Sequence, residues 1–141
     1  MTGTDPRVIA ALRQSGVLPA HLPFSEGMAV GDLVFLSGQI GNRPGTVELA
    51  GPSAVDEFRQ IMDNVVQTLR ANGLTTGNVV KCTVMLADMA DWPAFNDVYA
   101  GYFDQPRPAR SAFGVNGLAF GARVEIECIA LRNGVRGTAP A

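Results

Sequence analysis

Arg110 stands in the stretch RPARSAFGV, between a stiff Pro108-Ala109 step and an alternating run that reads as a half-buried strand. Only 17% of the chain is charged, so a cation at the head of such a strand needs a partner. The planar guanidinium fork suits a carboxylate, which it can hold through two parallel hydrogen bonds. Carboxylates occur nearby in RVEIECIAL, where Glu125 and Glu127 share one strand face with Ile129 and Leu131 while Val124, Ile126, Cys128 and Ala130 take the other. Unpaired carboxylates are rarely buried, so this face implies a partner subunit, a ligand or a solvent channel. A glutamate so placed can accept a proton and return it. The plainer alternatives are a surface salt bridge for Arg110, worth about 0–1 kcal/mol, and an intersubunit ion pair for Glu125, for instance with Arg123 of another chain. Glu127 competes with Glu125 for any site role.

Other chemistries lack their residues. His21 is the only histidine, no Cys/His pair has metal-ligand spacing, and no motif places a base beside Ser37. A metal centre and a serine hydrolase are therefore not expected. Cys82 and Cys128 lie in separate apolar runs, as small buried thiols in a reducing compartment do, and Cys128 is most simply a core thiol. With 11 basic and 13 acidic residues and no basic stripe, the chain is not a natural partner for nucleic acid. The start MTGTDPR leads into no apolar run and no apolar stretch approaches bilayer-spanning length, so no membrane partner is expected and the cytoplasm is the expected location.

The elements that must position these residues follow from periodicity. Asp5, Pro6 and RVIAALRQSG predict a short N-terminal helix ended by Gly16. FSEGMAVGDLVFLSGQ predicts two strands turning at Gly31-Asp32, the second apolar on both faces and hence central. Ser53 and Asp56 form a capping-box pattern before a helix with Val55, Phe58, Ile61, Met62, Val65 and Leu69 on one face, ended by Gly73. NVVKCTVMLADM predicts a strand with Val80, Cys82, Val84 and Leu86 facing one way and Lys81 and Thr83 the other. Asp91 caps a second helix whose Trp92, Phe95, Val98, Tyr99 and Tyr102 form a packing stripe. Two strands follow, and the tail NGVRGTAPA reads as frayed. The order β-β-α-β-α-β-β makes one α+β domain, a mixed sheet of about six strands with two main helices on one face. Because LVFLSG and VVKCTVML are apolar on both sides, the uncovered sheet face is expected to be buried by another copy of the chain.

The pieces GDLVFLSGQI, DNVVQTLRANGL, NVVKCTVMLADMADWPAFNDVYAGYF, PARS and VEIECIAL, in this order and spacing, resemble the RidA/YjgF reactive-intermediate (enamine/imine) deaminase family. The resemblance covers about Leu22 to Leu131. It implies a chorismate-mutase-like fold in a barrel-like homotrimer, with clefts between subunits and a domain over 22–133, flanked by an N-terminal extension over 1–21 and a flexible tail over 134–141. It also implies a cofactor-free reaction in which water attacks short-lived imines, tautomers of enamines such as 2-aminoacrylate, releasing ammonia and a 2-keto acid.

Carried over by position, the resemblance makes Arg110 the substrate-binding arginine and Glu125 the acid that positions or activates water. Ser37 and Gly38 line the cleft, Asn96 is a polar residue of the second helix, and Ser111 follows the arginine. Phe24 stands where many members have tyrosine and Ala112 where many have cysteine or threonine, which bears on substrate range. The leading expectation is thus an imine deaminase, general or tied to one pathway. A trimer that binds small carboxylates such as 2-keto acids without turnover is the alternative. The ribonuclease activity attributed to some relatives ranks third, because the chain lacks the cations and the acid–base pair that RNA cleavage requires.

Overall fold

Ser53 and Asp56 close the expected capping box in the computed structural model, which describes residue 5 and residues 7–137. Ser53 Oγ accepts from the Asp56 N–H at 3.1 Å, and an Asp56 carboxylate oxygen accepts from the Ser53 N–H at 3.1 Å. These bonds satisfy two of the donors that a helix start leaves free. The helix, α1 (Ala54–Ala71), buries Phe58, Ile61, Met62, Val65 and Leu69, each contributing about 1.5–3 kcal/mol of transfer free energy. Gly73 takes a φ of +73° just beyond its end, where glycine alone is unstrained.

The stripe packs onto a six-stranded mixed sheet. In chain order the strands are β1 (Ile9–Ala11), β2 (Gly27–Val30), β3 (Leu33–Leu36), β4 (Val79–Leu86), β5 (Ala109–Gly114) and β6 (Val124–Leu131). In space they run β1-β2-β3-β6-β4-β5. All neighbours are antiparallel except β4 and β5, which are parallel and joined through α2 (Trp92–Ala100). A parallel pair needs such a crossover, whereas β2 and β3 need only the tight turn at Gly31-Asp32. The core lies between helices and sheet: Phe58 and Phe95 meet edge to face at 5.5 Å, over Val84, Leu86, Val124 and Ile126. The opposite sheet face keeps Leu33, Phe35 and Phe113 exposed.

Four expectations are corrected. The N-terminal helix is instead a strand: Ile9, Ala10 and Ala11 pair with Val30, Ala29 and Met28, while the Asp5 carboxylate folds onto Arg7 and the expected first helical residue, Pro6, lies outside the described residues. An isolated helix of about ten residues is marginal in water, and extension here satisfies the open edge of β2. Val80 is exposed and Val79 buried, because a bulge between Val79 and Lys81 shifts the register against β6. Asp91 makes no capping bond; Asp88 caps the preceding Met89–Asp91 turn by accepting from the Ala90 N–H at 2.9 Å. The tail is tied down as far as Arg136. Arg136 donates to the carbonyls of Val79 at 2.9 Å and Asp104 at 3.0 Å, and its guanidinium lies 5.5 Å from the Phe103 ring centroid. Residues 138–141 lie outside the described residues.

Candidate active site

Ser37, Gly38 and Gln39 leave the end of β3 and run against β6. Gln39 and Ile126 exchange both backbone hydrogen bonds, at 2.8 and 3.0 Å, and this bridge presses Gly38 onto Glu125. A Cβ added at Gly38 would overlap Glu125 Oε2 and stand 3.0 Å from Cδ. Glycine is thus required by close approach of a side chain to backbone. The buried Gln39 side chain braces the turn, donating to Thr68 Oγ1 of α1 at 2.8 Å. Ser37 donates its hydroxyl proton to the Ser25 carbonyl, which ties down the segment carrying Phe24. Its oxygen can accept a bond but has no base to activate it.

Phe24, Ser37, Gly38, Glu125 and Glu127 open onto one pocket of about 490 Å³, whose remaining walls include Leu18, Leu22, Ile40, Val47, Ala119 and Phe120. Apolar walls around a few convergent polar groups are the usual make-up of a small-molecule site. Burial pushes the Glu125 carboxyl above the usual carboxylate range, and the neighbouring Glu127 charge pushes it further. Among the described residues neither glutamate has an ion-pair partner. Arg123, the cation considered for that role, instead binds the fully buried Glu57 of its own chain, through Nη1 at 3.0 Å and its backbone N–H at 2.7 Å.

Arg110 lies elsewhere. It pairs with Cys82 on β4, which pairs with Cys128 on β6, and all three face the helices. Its guanidinium sits 4.7 Å from the Tyr99 ring centroid and donates to Asn96 Oδ1 at 2.7 Å. Most of the five donors of the fork remain available. Ala112 faces the helices beside it and packs against the core, whereas Ser111 is exposed on the open sheet face. The Cys82 and Cys128 sulfurs are 3.3 Å apart as free thiols, and Cys128 is held well above its ordinary pKa by its bond to Cys82 and by burial. Within one chain, then, Arg110 and Asn96 form one group, and Phe24, Ser37, Gly38 and Glu125 another. The two are separated by β4 and lie on opposite sheet faces.

A family model described as Endoribonuclease L-PSP matches residues 16–132. The chain belongs to this family. Among RidA/YjgF proteins it is 44% identical over 113 residues to "Reactive Intermediate Deaminase A, chloroplastic" of Arabidopsis thaliana, covering 79% of this chain and 60% of that protein. It is 43% identical over 110 residues to the "2-iminobutanoate/2-iminopropanoate deaminase" of Capra hircus, covering 78% of this chain and 80% of that protein. The crystal structure of E. coli TdcF with bound serine superposes with a TM-score of 0.80 at 33% identity, over 88% of this chain and 99% of that one. The mixed six-stranded sheet with two helices is thus a fold shared with a solved RidA/YjgF structure.

Two features of this RidA/YjgF chain escaped the sequence. Leu18 and Pro19 of the N-terminal segment are pocket wall, anchored by the fully buried Val17 and by Ser15, whose N–H donates to the buried Glu26 at 2.9 Å. Phe120 is the other: at φ 58° and ψ 20° it is the single non-glycine residue with positive φ among the described residues. The left-handed region costs such a side chain about 1–2 kcal/mol. Glycines 117 and 121 mark the turn in the sequence, but nothing there says that a phenylalanine would take the strained position.

Proposed function

We propose that the protein hydrolyses 2-imino acids to 2-keto acids and ammonia, without a cofactor, at sites completed between copies of the chain in a chorismate-mutase-like homotrimer. The observation that carries this is Glu125: a half-buried carboxylate with a raised pKa, in an apolar pocket that has no cation of its own. Arg110 supplies the missing charge from a neighbouring copy, and the apolar open face of the sheet is the surface that brings copies together. The names of the Arabidopsis and goat relatives support the same reaction class.

The chemistry then follows from the side chains. Arg110 fixes the substrate carboxylate while Asn96 and Tyr99 hold its fork in place. Glu125, resting on Gly38, accepts a proton as water oxygen bonds to the imine carbon and the nitrogen takes up a proton. Solvent supplies that first proton to nitrogen; the tetrahedral adduct then breaks its C–N bond as the proton on Glu125 passes to the leaving nitrogen and the adduct's hydroxyl proton is released to solvent. Imine and water thus become keto acid and ammonia, and Glu125 ends ionised as it began. An elevated pKa makes the carboxylate a better base than an exposed glutamate. The two buried thiols fit a reducing compartment such as the cytosol. A ribonuclease reading, suggested by the family description, finds less support: the chain's one histidine, His21, is not a pocket wall, and Glu125 and Glu127 place two carboxylates where RNA would bring phosphates.

Complementation tests this reading. Arg110→Ala and Glu125→Gln proteins should each lose hydrolysis of 2-aminoacrylate generated in situ. Unfolding and refolding them together in equal amounts should restore about a quarter of the sites, those pairing an intact arginine from one copy with an intact glutamate from another. Full activity in Arg110→Ala, or no recovery in co-refolded trimers, would sink the shared site. Binding of 2-ketobutyrate to the intact protein with no turnover of any imine would instead favour the non-catalytic carboxylate binder.

A further inference from the structure

We propose that this pocket selects imino acids with large apolar side chains, of leucine or phenylalanine size, and that Phe120 is the residue that sets this preference. The proposal rests on the deaminase reading and extends it to substrate class. A three- or four-carbon imino acid uses little more than its carboxylate and imine, which Arg110 and Glu125 serve. The pocket beside Glu125 is much larger, about 490 Å³, within the range of about 300–1,000 Å³ typical of drug-sized ligands. Ser37, Asn42, Thr46 and Glu127 supply its polar lining, and its large side chains are apolar: Leu18, Leu22, Phe24, Val47 and Phe120 among them.

Three of these, Phe24 at 49%, Val47 at 44% and Phe120 at 58% exposure, are among the large apolar side chains left open to solvent. Phe120 is placed there at the expense of its backbone, with φ at 58°, although a glycine would occupy that turn without strain. Strained conformers persist where the surroundings over-determine them, and they cluster at ligand sites. The core gains nothing from this ring, so its position is explained by what enters the pocket. Phe24 adds a second ring without a hydroxyl of its own. A substrate side chain lying among these residues removes apolar surface from water on both partners.

The test compares imines released in situ from alanine, leucine and phenylalanine by a flavin amino-acid oxidase, with the keto acid measured against the spontaneous rate. The wild-type protein should show kcat/KM at least about tenfold higher for the leucine- or phenylalanine-derived imine than for the alanine-derived one, since a single methylene in an apolar pocket is worth roughly 10–200-fold. Phe120→Gly, which relaxes the turn and so favours folding, should lower that large-to-small ratio by about tenfold. Equal or better use of the alanine-derived imine by the wild-type protein overturns the proposal and leaves the deaminase reading standing. A ratio unmoved in Phe120→Gly, with all imines slowed alike and the trimer weakened, also overturns it, because Phe120 is then an interface residue. No acceleration of any imine overturns both.

Discussion

Replacing Gly38 by alanine probes the contact on which the proposed chemistry depends. The new Cβ would overlap Glu125 Oε2, with Cδ at 3.0 Å and Cγ at 3.3 Å, so the whole carboxylate must swing away rather than only its tip. Reaching ordinary contact requires it to move by about 1 Å or more, a displacement that can cost roughly 100-fold in rate when the moved group orients a reactant. The backbone has no reason to object, because Gly38 is not among the positive-φ glycines. An alanine at a compatible position even gains about 0.4–1 kcal/mol by restricting the unfolded chain, which offsets part of the crowding. The expected result is a protein whose Tm changes by only a few degrees while kcat for imine hydrolysis falls about 100-fold. A double variant with Glu125→Gln settles the cause, since Gly38→Ala should cost little more once the carboxylate is gone. Wild-type rates in Gly38→Ala would refute the claim that Glu125 acts from its observed position, and additive losses in the double variant would show that Gly38 acts through something else.

Two further outcomes follow from the charges. Glu127→Gln removes the like charge that helps raise Glu125, so the acid limb of kcat/KM should move to lower pH, while the larger contribution of burial stays. Because the folded state holds the Glu125 proton more tightly than the unfolded chain, ionised Glu125 opposes folding above its folded pKa; Glu125→Gln should raise Tm near neutrality and leave it unchanged in acid below the ordinary glutamate pKa. Arg123→Ala strips one of two donors from the fully buried Glu57 and should destabilise the fold by about 1–3 kcal/mol in urea unfolding, with little change in imine turnover if Arg123 has no site role.

Much of this architecture is legible in local chemistry. The α1 capping box, the Gly31-Asp32 turn and the alternation that sends Val124, Ile126 and Cys128 inward and Glu125 outward are short-range signals, and the structure keeps all of them. In the N-terminal segment Asp5, Pro6 and Gly16 carry the start and stop signals of a helix, while the decision lies with the open edge of β2, some twenty residues further along the chain. Val80 was misplaced because a bulge leaves no mark in composition. At the candidate site, the sequence brings out the polar residues but not their separation: which face Arg110 takes depends on its pairing with Cys82. The apolar walls at Leu18 and Phe120 were missed because their role comes from long-range packing and from one unusual backbone conformation.

The N-terminal wall pinned by Val17 and Ser15 bears on how such a protein can change over generations. The groups proposed for bond making and breaking, Arg110 and Glu125, sit on the sheet; Leu18, Leu22 and Phe120 sit on connecting segments outside it. Mutations that reshape those connections leave the reactive pair where it is, so a lineage can acquire a new metabolite without re-inventing its catalyst.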